Sequence, residues 1–205
     1  MLKDKPILKL AILATLSALG VVLMTYVKIP FVPPLQFLEI EISDFIVILT
    51  LLLFGFKEAL LVAIVKTLGQ LAIVGPVGLY GVGQITAIIA SISYCIGMLL
   101  FKKLINHYNV GFKIIGYFCL VLLVTTIMTI SNYFVLTPIY IATFGLTTTD
   151  FVGMVGASNY LLAIIMAYVP FNFLKGAIVS IIAATIGVAI TKIFEARYRR
   201  NSDIT

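Results

Sequence analysis

The sequence predicts an all-α integral membrane protein: one bundle of six transmembrane helices, residues 1–205 forming a single membrane domain, with the N- and C-termini cytoplasmic. Three observations carry this. Of 205 residues, 62% are hydrophobic and only 11% charged, where a soluble domain carries roughly 25% charge. Residues 10–27, 67–101 and 114–149 hold no charged side chain at all. The basic residues that remain fall almost entirely between apolar runs, and on one side of them.

Each span follows from charges and helix breakers. A membrane's hydrocarbon core, about 30 Å thick, takes roughly 20 apolar residues per helix. The first span is expected over 7–27, ended by Lys28-Ile29-Pro30. Pro33-Pro34 then holds the chain extended or turned, because the residue before a proline avoids helical backbone angles. The second, short, is expected over 44–56 and ends at Gly55-Phe56-Lys57-Glu58. The third covers 59–74 and meets Gly75-Pro76-Val77-Gly78. The fourth covers 81–101. The fifth covers 111–136 and is expected to stop at Thr137-Pro138. The sixth covers 161–194, with Pro170 near its start. A secretory signal peptide is a poor reading of the first run, which is longer than a signal core and is followed by more of the same.

Orientation follows from Lys and Arg near the span ends, which favour the cytoplasm. With the N-terminus inside, Lys3, Lys5, Lys9, Lys57, Lys102, Lys103, Lys113, Lys192, Arg197, Arg199 and Arg200 are all cytoplasmic. Only Lys28 lies outside, while Lys66 and Lys175 fall within spans. The net charge of +6 is thus a topology signal. No nucleic-acid partner is expected, and attraction to anionic membrane lipid is incidental. Both termini inside require an even number of spans, which favours six over five.

The polar residues within spans are few, and such groups usually face a bundle interior or cavity. Asn132, Asn172, Lys175, Gln70 and Gln84 all lie toward the outer ends. Glu39, Glu41 and Asp44 occupy the outer connection or the mouth of the second span. Asn172 and Lys175, spaced i, i+3, share one helical face. An outward-facing polar pocket is the preferred reading, suited to a neutral or weakly polar organic ligand. Lys66, nearer mid-depth, is expected to lean toward the interface by snorkelling. Phe37, Phe45, Tyr80, Tyr133 and Phe171 are available as flat walls, though core packing or interfacial anchoring is the ordinary role of most such residues. Cys95 and Cys119 read as small buried hydrophobes, and His107 as a solvated loop residue. No metal site is expected.

Phosphate-binding loops, zinc-protease helices and nucleophile elbows are absent from the sequence. Neither catalysis nor ATP hydrolysis is therefore expected of this chain, and no repeated halves support a self-sufficient secondary transporter. If it moves a solute, an energised partner is needed. Ala14 and Ala18 form a small-xxx-small pair that permits close helix approach, and they are the candidate partner contact.

Several motifs resemble the riboflavin-binding S components of energy-coupling factor (ECF) vitamin transporters, over essentially the whole length. They are Leu38-Glu39-Ile40-Glu41-Ile42-Ser43-Asp44, Lys66, Val82-Gly83-Gln84, the run Ser131-Asn132-Tyr133 through Thr137-Pro138-Ile139-Tyr140, and Pro170-Phe171-Asn172-Phe173-Leu174-Lys175-Gly176. The resemblance implies a six-helix vitamin-capture subunit of the plasma membrane, with Asn132, Asn172 and Lys175 contacting the flavin. Residues 38–44, including Leu38, Glu41 and Asp44, and residues 79–84, including Leu79 and Gln84, are implied pocket walls. A membrane scaffold subunit and two ATPases are the implied partners. Riboflavin is then the transported ligand, and no cofactor is implied. Glu39 and Glu41 depart from the family's usual Lys and Asp, and Thr86-Ala87 from its Ala-Asn. Related S components bind pantothenate or folate on the same architecture, so another vitamin stays open. So does a non-transport membrane assembly protein.

Overall fold

The protein was analysed as a computed structural model, which describes residues 6–31 and 38–202. Pro33, Pro34, Phe37, Lys3 and Lys5 lie outside the described residues. The chain is almost entirely helical. Helix α1 (Pro6–Tyr26) leads into a two-stranded antiparallel hairpin, β1 (Lys28–Pro30) and β2 (Glu39–Glu41), with Ile29 opposite Ile40. Then come α2 (Asp44–Phe54), α3 (Phe56–Val74), a single 3₁₀ turn (Leu79–Gly81), α4 (Val82–Leu100), the short α5 (Lys102–Ile105) and α6 (Val110–Ser131). A π turn (Asn132–Leu136) joins α6 to α7 (Thr137–Thr143), and α8 (Thr148–Val155) follows. Helix α9 (Tyr160–Ile182) runs through a second π turn (Ala183–Gly187) into α10 (Val188–Ser202).

Why these helices sit where they do follows from which faces are apolar. Helix α1 buries only Leu13, Leu16, Ser17, Gly20 and Met24, a stripe at helical spacing. Its remaining surface is equally apolar and exposed, as expected of a helix whose other solvent is lipid. Gly20 and Gly69 let α1 approach α3: a Cβ on Gly20 would meet the Lys66 side chain at 3.0 Å, and one on Gly69 would meet Val21 at 2.5 Å. Lys9 of α1 pairs with Glu58 of α3 at the basic end. Helix α2 is different. Every residue from Asp44 to Leu51 is buried, so it is apolar all round because it is enclosed all round. At 11 residues it rises only about 17 Å, and Gly55, with φ 104°, turns the chain directly into α3.

Four helical stretches are long and apolar enough to cross a membrane among the described residues: Pro6–Tyr26, Leu79–Leu100, Val110–Thr143 and Tyr160–Phe194. Helix α2 is apolar but short, and α3 carries Lys57, Glu58 and Lys66. The protein is thus an all-α, multi-pass membrane bundle.

Two local expectations are corrected. The fifth helix does not stop at Thr137-Pro138 but continues to Thr143. The π turn explains it: the N–H of Thr137 donates to the carbonyl of Asn132, five residues back. That inserted residue re-registers the ladder, so Pro138 sits in the first turn of α7, where a missing N–H costs nothing. Likewise Pro170 lies inside an uninterrupted α9 and does not break it. The outer connection after Thr143 also contains a helix, α8, beyond the six expected spans. Its signal is a capping box: Thr147 Oγ1 accepts from Asp150 N while Asp150 Oδ2 accepts from Thr147 N.

Two apolar clusters result. The main core gathers α1, α2, α3, α4 and α6 around Val47, Ile48, Val62 and Leu120. A smaller one joins Leu38 and Ile40 of the hairpin, Phe151 of α8 and Ala163, Tyr168 and Phe171 of α9. The candidate site lies where the second cluster caps the first.

Candidate functional site

The hairpin is tied to α9 by both chemistry and packing. Lys175 Nζ donates to Glu41 Oε1 at 2.8 Å, and the rings of Phe31 and Phe171 lie 5.5 Å apart. Within the hairpin, Lys28 pairs with Glu39 at 2.8 Å. Below it, the start of α2 supplies two more acceptors. Lys66 Nζ donates to Ser43 Oγ at 2.6 Å and to Asp44 Oδ1 at 2.9 Å. Ser91 Oγ of α4 donates to the same Asp44 oxygen at 2.6 Å, and Lys175 stands 3.4 Å from the other. Two lysines and two carboxylates thus form one charge-balanced network joining β2, α2, α3, α4 and α9.

Lys66 and Asp44 are both fully buried. Lys66 therefore does not snorkel, which corrects the expectation for it. Gly20 packs directly on its stem, and the buried Asp44 carboxylate pairs with its ammonium. For Glu41, burial alone would raise the carboxyl's pKa. The ammonium of Lys175, then that of Lys66, and hydrogen bonds from Lys175 and Ser43 outweigh it and hold Glu41 well below the usual carboxylate range. A depressed folded pKa stabilises the fold in full at pH above the ordinary value of about 4.3, and that contribution is lost progressively as pH falls from there through the lowered one. Acidification below about pH 4 is expected to lower thermal stability in detergent more for the wild type than for Glu41→Gln. Coincident acid limbs would contradict this.

Above the network is a cavity enclosing about 890 Å³, its open mouth included. Asn132, Asn172, Lys175, Leu38 and Glu41 line it, with Gln70. Three helices present regular faces to it: Gly83, Ala87, Ala90 and Tyr94 from α4; Val124, Met128 and Asn132 from α6 and its π turn; Tyr168, Phe171, Asn172 and Lys175 from α9. These spacings of three and four are legible in the sequence, but nothing local sets the apolar members, above all Tyr94, Met128 and Tyr168, apart from core residues. Asn132 Nδ2 donates to the carbonyl of Met128 at 2.7 Å, leaving its oxygen to accept. Asn172 is buried, and its Nδ2 has no protein partner. A buried unpaired amide in a cavity wall is costly unless something in the cavity accepts from it.

Three expected wall residues lie elsewhere. Asp44 sits behind the wall in its ion pairs. Gln84 is buried in the α3–α4 connection, donating to Gln70 Oε1 at 2.6 Å and Gly75 O at 3.1 Å and accepting from Val77 N at 3.0 Å. It holds that glycine-bearing loop in place, and Gln70, its partner, is what reaches the cavity. Leu79 is exposed on the loop, its N–H donating to Thr143 Oγ1 at 2.9 Å. Of the aromatic candidates, Phe171 is a wall, Phe45 is buried in the main core, Tyr80 is exposed and Tyr133 packs on Tyr160 at 5.3 Å. Tyr168 instead supplies a buried phenol, its oxygen accepting from Thr137 Oγ1 at 2.8 Å. Cys95 is buried and Cys119 half-buried, both free thiols. His107 stacks against Tyr108 in an exposed turn.

Ala14 and Ala18 are exposed on the outer face of α1, whereas Ser17 and Gly20 turn inward. The small residues of α1 therefore divide into an inner set used within the bundle and an outer pair left uncovered.

The family described as "ECF transporter, substrate-specific component" matches residues 8–187. The riboflavin transporter RibU of Streptococcus thermophilus is 31% identical over 180 residues, 87% of this chain and 80% of that protein. RibU of Staphylococcus aureus is 31% identical over 177 residues, 85% of each. Riboflavin transporter FmnP of Bacillus subtilis is 27% identical over 186 residues, 89% of this chain and 91% of that one. A solved structure, described as "Structure and mechanism of the S component of a bacterial ECF transporter", matches with a TM-score of 0.63 at 25% identity, covering 98% of both chains. A cavity walled by conjoined helices and a paired hairpin, and a match spanning nearly the whole bundle, agree: this chain belongs to the substrate-specific components of ECF transporters.

Proposed function

We propose that this chain is the riboflavin-capturing subunit of an ECF importer in the plasma membrane, with six membrane-crossing segments and both termini cytoplasmic. The observation that carries the ligand is the meeting of Asn132, Asn172 and Lys175 with Tyr94, Tyr168 and Phe171 around one cavity. A flavin offers a flat ring for aromatic walls and an edge of carbonyls and ring nitrogens for amides and an ammonium. The names of the relatives point to the same vitamin. The cavity lies at the end of the bundle opposite Lys57, Lys102, Lys103 and Lys113, so under the positive-inside rule it opens outward.

The alternative of an anionic vitamin such as pantothenate is disfavoured by the same network. Lys175 already faces Glu41 at 2.8 Å and Asp44 at 3.4 Å and Lys28 pairs with Glu39, so among the described residues the cavity lining has no uncompensated lysine to offer a carboxylate. Uptake then runs through partners. Vitamin is captured from outside, the hairpin side of the cavity closes over it, and the exposed Ala14–Ala18 face docks on a membrane scaffold subunit. Two ATPases supply the energy, since this chain has no nucleotide-binding motif.

Purification in detergent tests the ligand. The expected product is yellow, with flavin absorption bands, or else quenches riboflavin fluorescence one to one. The chain has no Trp, so the flavin's own emission is the signal. A colourless protein that leaves flavin emission unchanged would overturn the assignment. Labelling of single cysteines placed at Tyr80 and His107, from each side of sealed vesicles, tests the orientation: Tyr80 should react from outside only and His107 from inside only.

A further inference from the structure

A second hollow lies at the other end of the bundle, between α6 and the α9–α10 helix. We infer that it binds one anionic glycerophospholipid of the cytoplasmic leaflet, with an acyl chain in the groove and the phosphate between Lys113 and Lys192. The leaflet rests on the orientation proposed above; the site itself does not.

The groove encloses about 1430 Å³, counted to its open side. Ile114, Phe118 and Val121 form one wall, and Phe173, Ala177 and Ile181 the other. It is hollow because Ala177, Ser180 and Ala184 present small side chains where larger ones would close it. From Val110 to Val121 the wall rises about 17 Å, close to the roughly 15 Å of one leaflet's hydrocarbon. An apolar slot of that depth fits an acyl chain.

The polar groups favour a lipid over a protein helix. Both lysines line the groove, and both belong to the basic end of the bundle. Lys9, Lys28, Lys66 and Lys175 each have a carboxylate partner. Among the described side chains Lys113 and Lys192 have no such partner, which leaves both ammonium groups available to a lipid headgroup there. Basic pockets between membrane helices on the cytoplasmic side select anionic headgroups. Deeper in the slot, Ser180 is buried and lines the groove, and its hydroxyl has no protein partner. The small-residue face proposed to meet the scaffold lies elsewhere, on α1, which packs mainly against α3 and α2.

Native mass spectrometry of the full chain, titrated with phosphatidylglycerol or phosphatidylcholine, tests the site. The wild type is expected to retain phosphatidylglycerol preferentially. The double variant Lys113→Gln/Lys192→Gln should weaken that retention roughly thirtyfold, about fivefold per lysine, and leave phosphatidylcholine unchanged. Ala177→Leu, which fills the slot and keeps both charges, should lower retention of both lipids. Riboflavin quenching should be unaltered in all variants. Equal retention of the two lipids by the wild type, or undiminished phosphatidylglycerol retention by the double variant, would overturn the inference. Neither result bears on riboflavin or on the cysteine-labelling pattern, so failure here is separable from failure of the proposed function.

Discussion

Lys66→Met is expected to destabilise the protein by about 3–5 kcal/mol, read as a large fall in unfolding temperature in detergent. The cause is not the lost lysine but the carboxylate it leaves behind. Asp44 is fully buried, and after the substitution it keeps only Ser91 Oγ on one oxygen and Lys175 at 3.4 Å from the other. Breaking a buried pair on one side strands a charge, whereas replacing both partners with apolar groups is often neutral or better. The double variant Lys66→Met/Asp44→Leu is therefore expected to be more stable than Lys66→Met alone. The comparison isolates the pair from the general cost of changing a core residue. A Lys66→Met variant within 1 kcal/mol of wild type would show that this pair does not hold α2 to α3.

The second large effect separates two residues that share one face of α9. Asn172→Ala should weaken riboflavin binding by about 1–3 kcal/mol, or roughly five- to 150-fold, because it removes a donor that would bond the ligand in the cavity. Its stability should change little, since Nδ2 has no protein partner to strand. Lys175→Ala should lose a similar amount of affinity but also unfold at lower temperature, because Glu41 loses its 2.8 Å partner. Fluorescence titration and thermal unfolding on the same preparations give both readings. Unchanged affinity in both variants would remove these residues from the site. Equal stability losses would mean that Asn172 is held by protein contacts rather than waiting for a ligand.

This difference between neighbours shows where sequence reasoning stops. Asn132, Asn172 and Lys175 were recognisable as pocket residues because a polar group at membrane depth has few tolerable places to go. Their partners were not recognisable. Lys175 and Glu41 are 134 residues apart, and Lys66 and Asp44 are 22 apart; no spacing rule links them. Snorkelling is the usual escape for a lone lysine, but Lys66 is not alone: Asp44 pairs with it. Gln84 and Gln70 illustrate the same limit. Both are polar and near the outer ends of helices, but one faces the loop and the other the cavity, because Gln84 lies opposite the carbonyl of Gly75.

Helix ends failed for a related reason. Pro138 is a breaker by every local rule, and the helix passes it because a π turn has shifted the register just before. Conversely, the Thr147-x-x-Asp150 capping box is a local signal for α8.

Membrane class, the positions of most apolar helices, the side on which the basic residues gather and the short set of polar residues needing shelter all follow from one-dimensional information. Lipid accepts so few residue types that composition alone is restrictive. Which of those sheltered groups meets which, and whether a given one is a wall of the cavity or a support behind it, depends on how the helices dock. Glycines at 20 and 69, a hairpin folded over the bundle and the enclosure of α2 set those distances. Hydrogen bonds and ion pairs form only within a few ångströms, and closeness of that kind is a property of the assembled bundle.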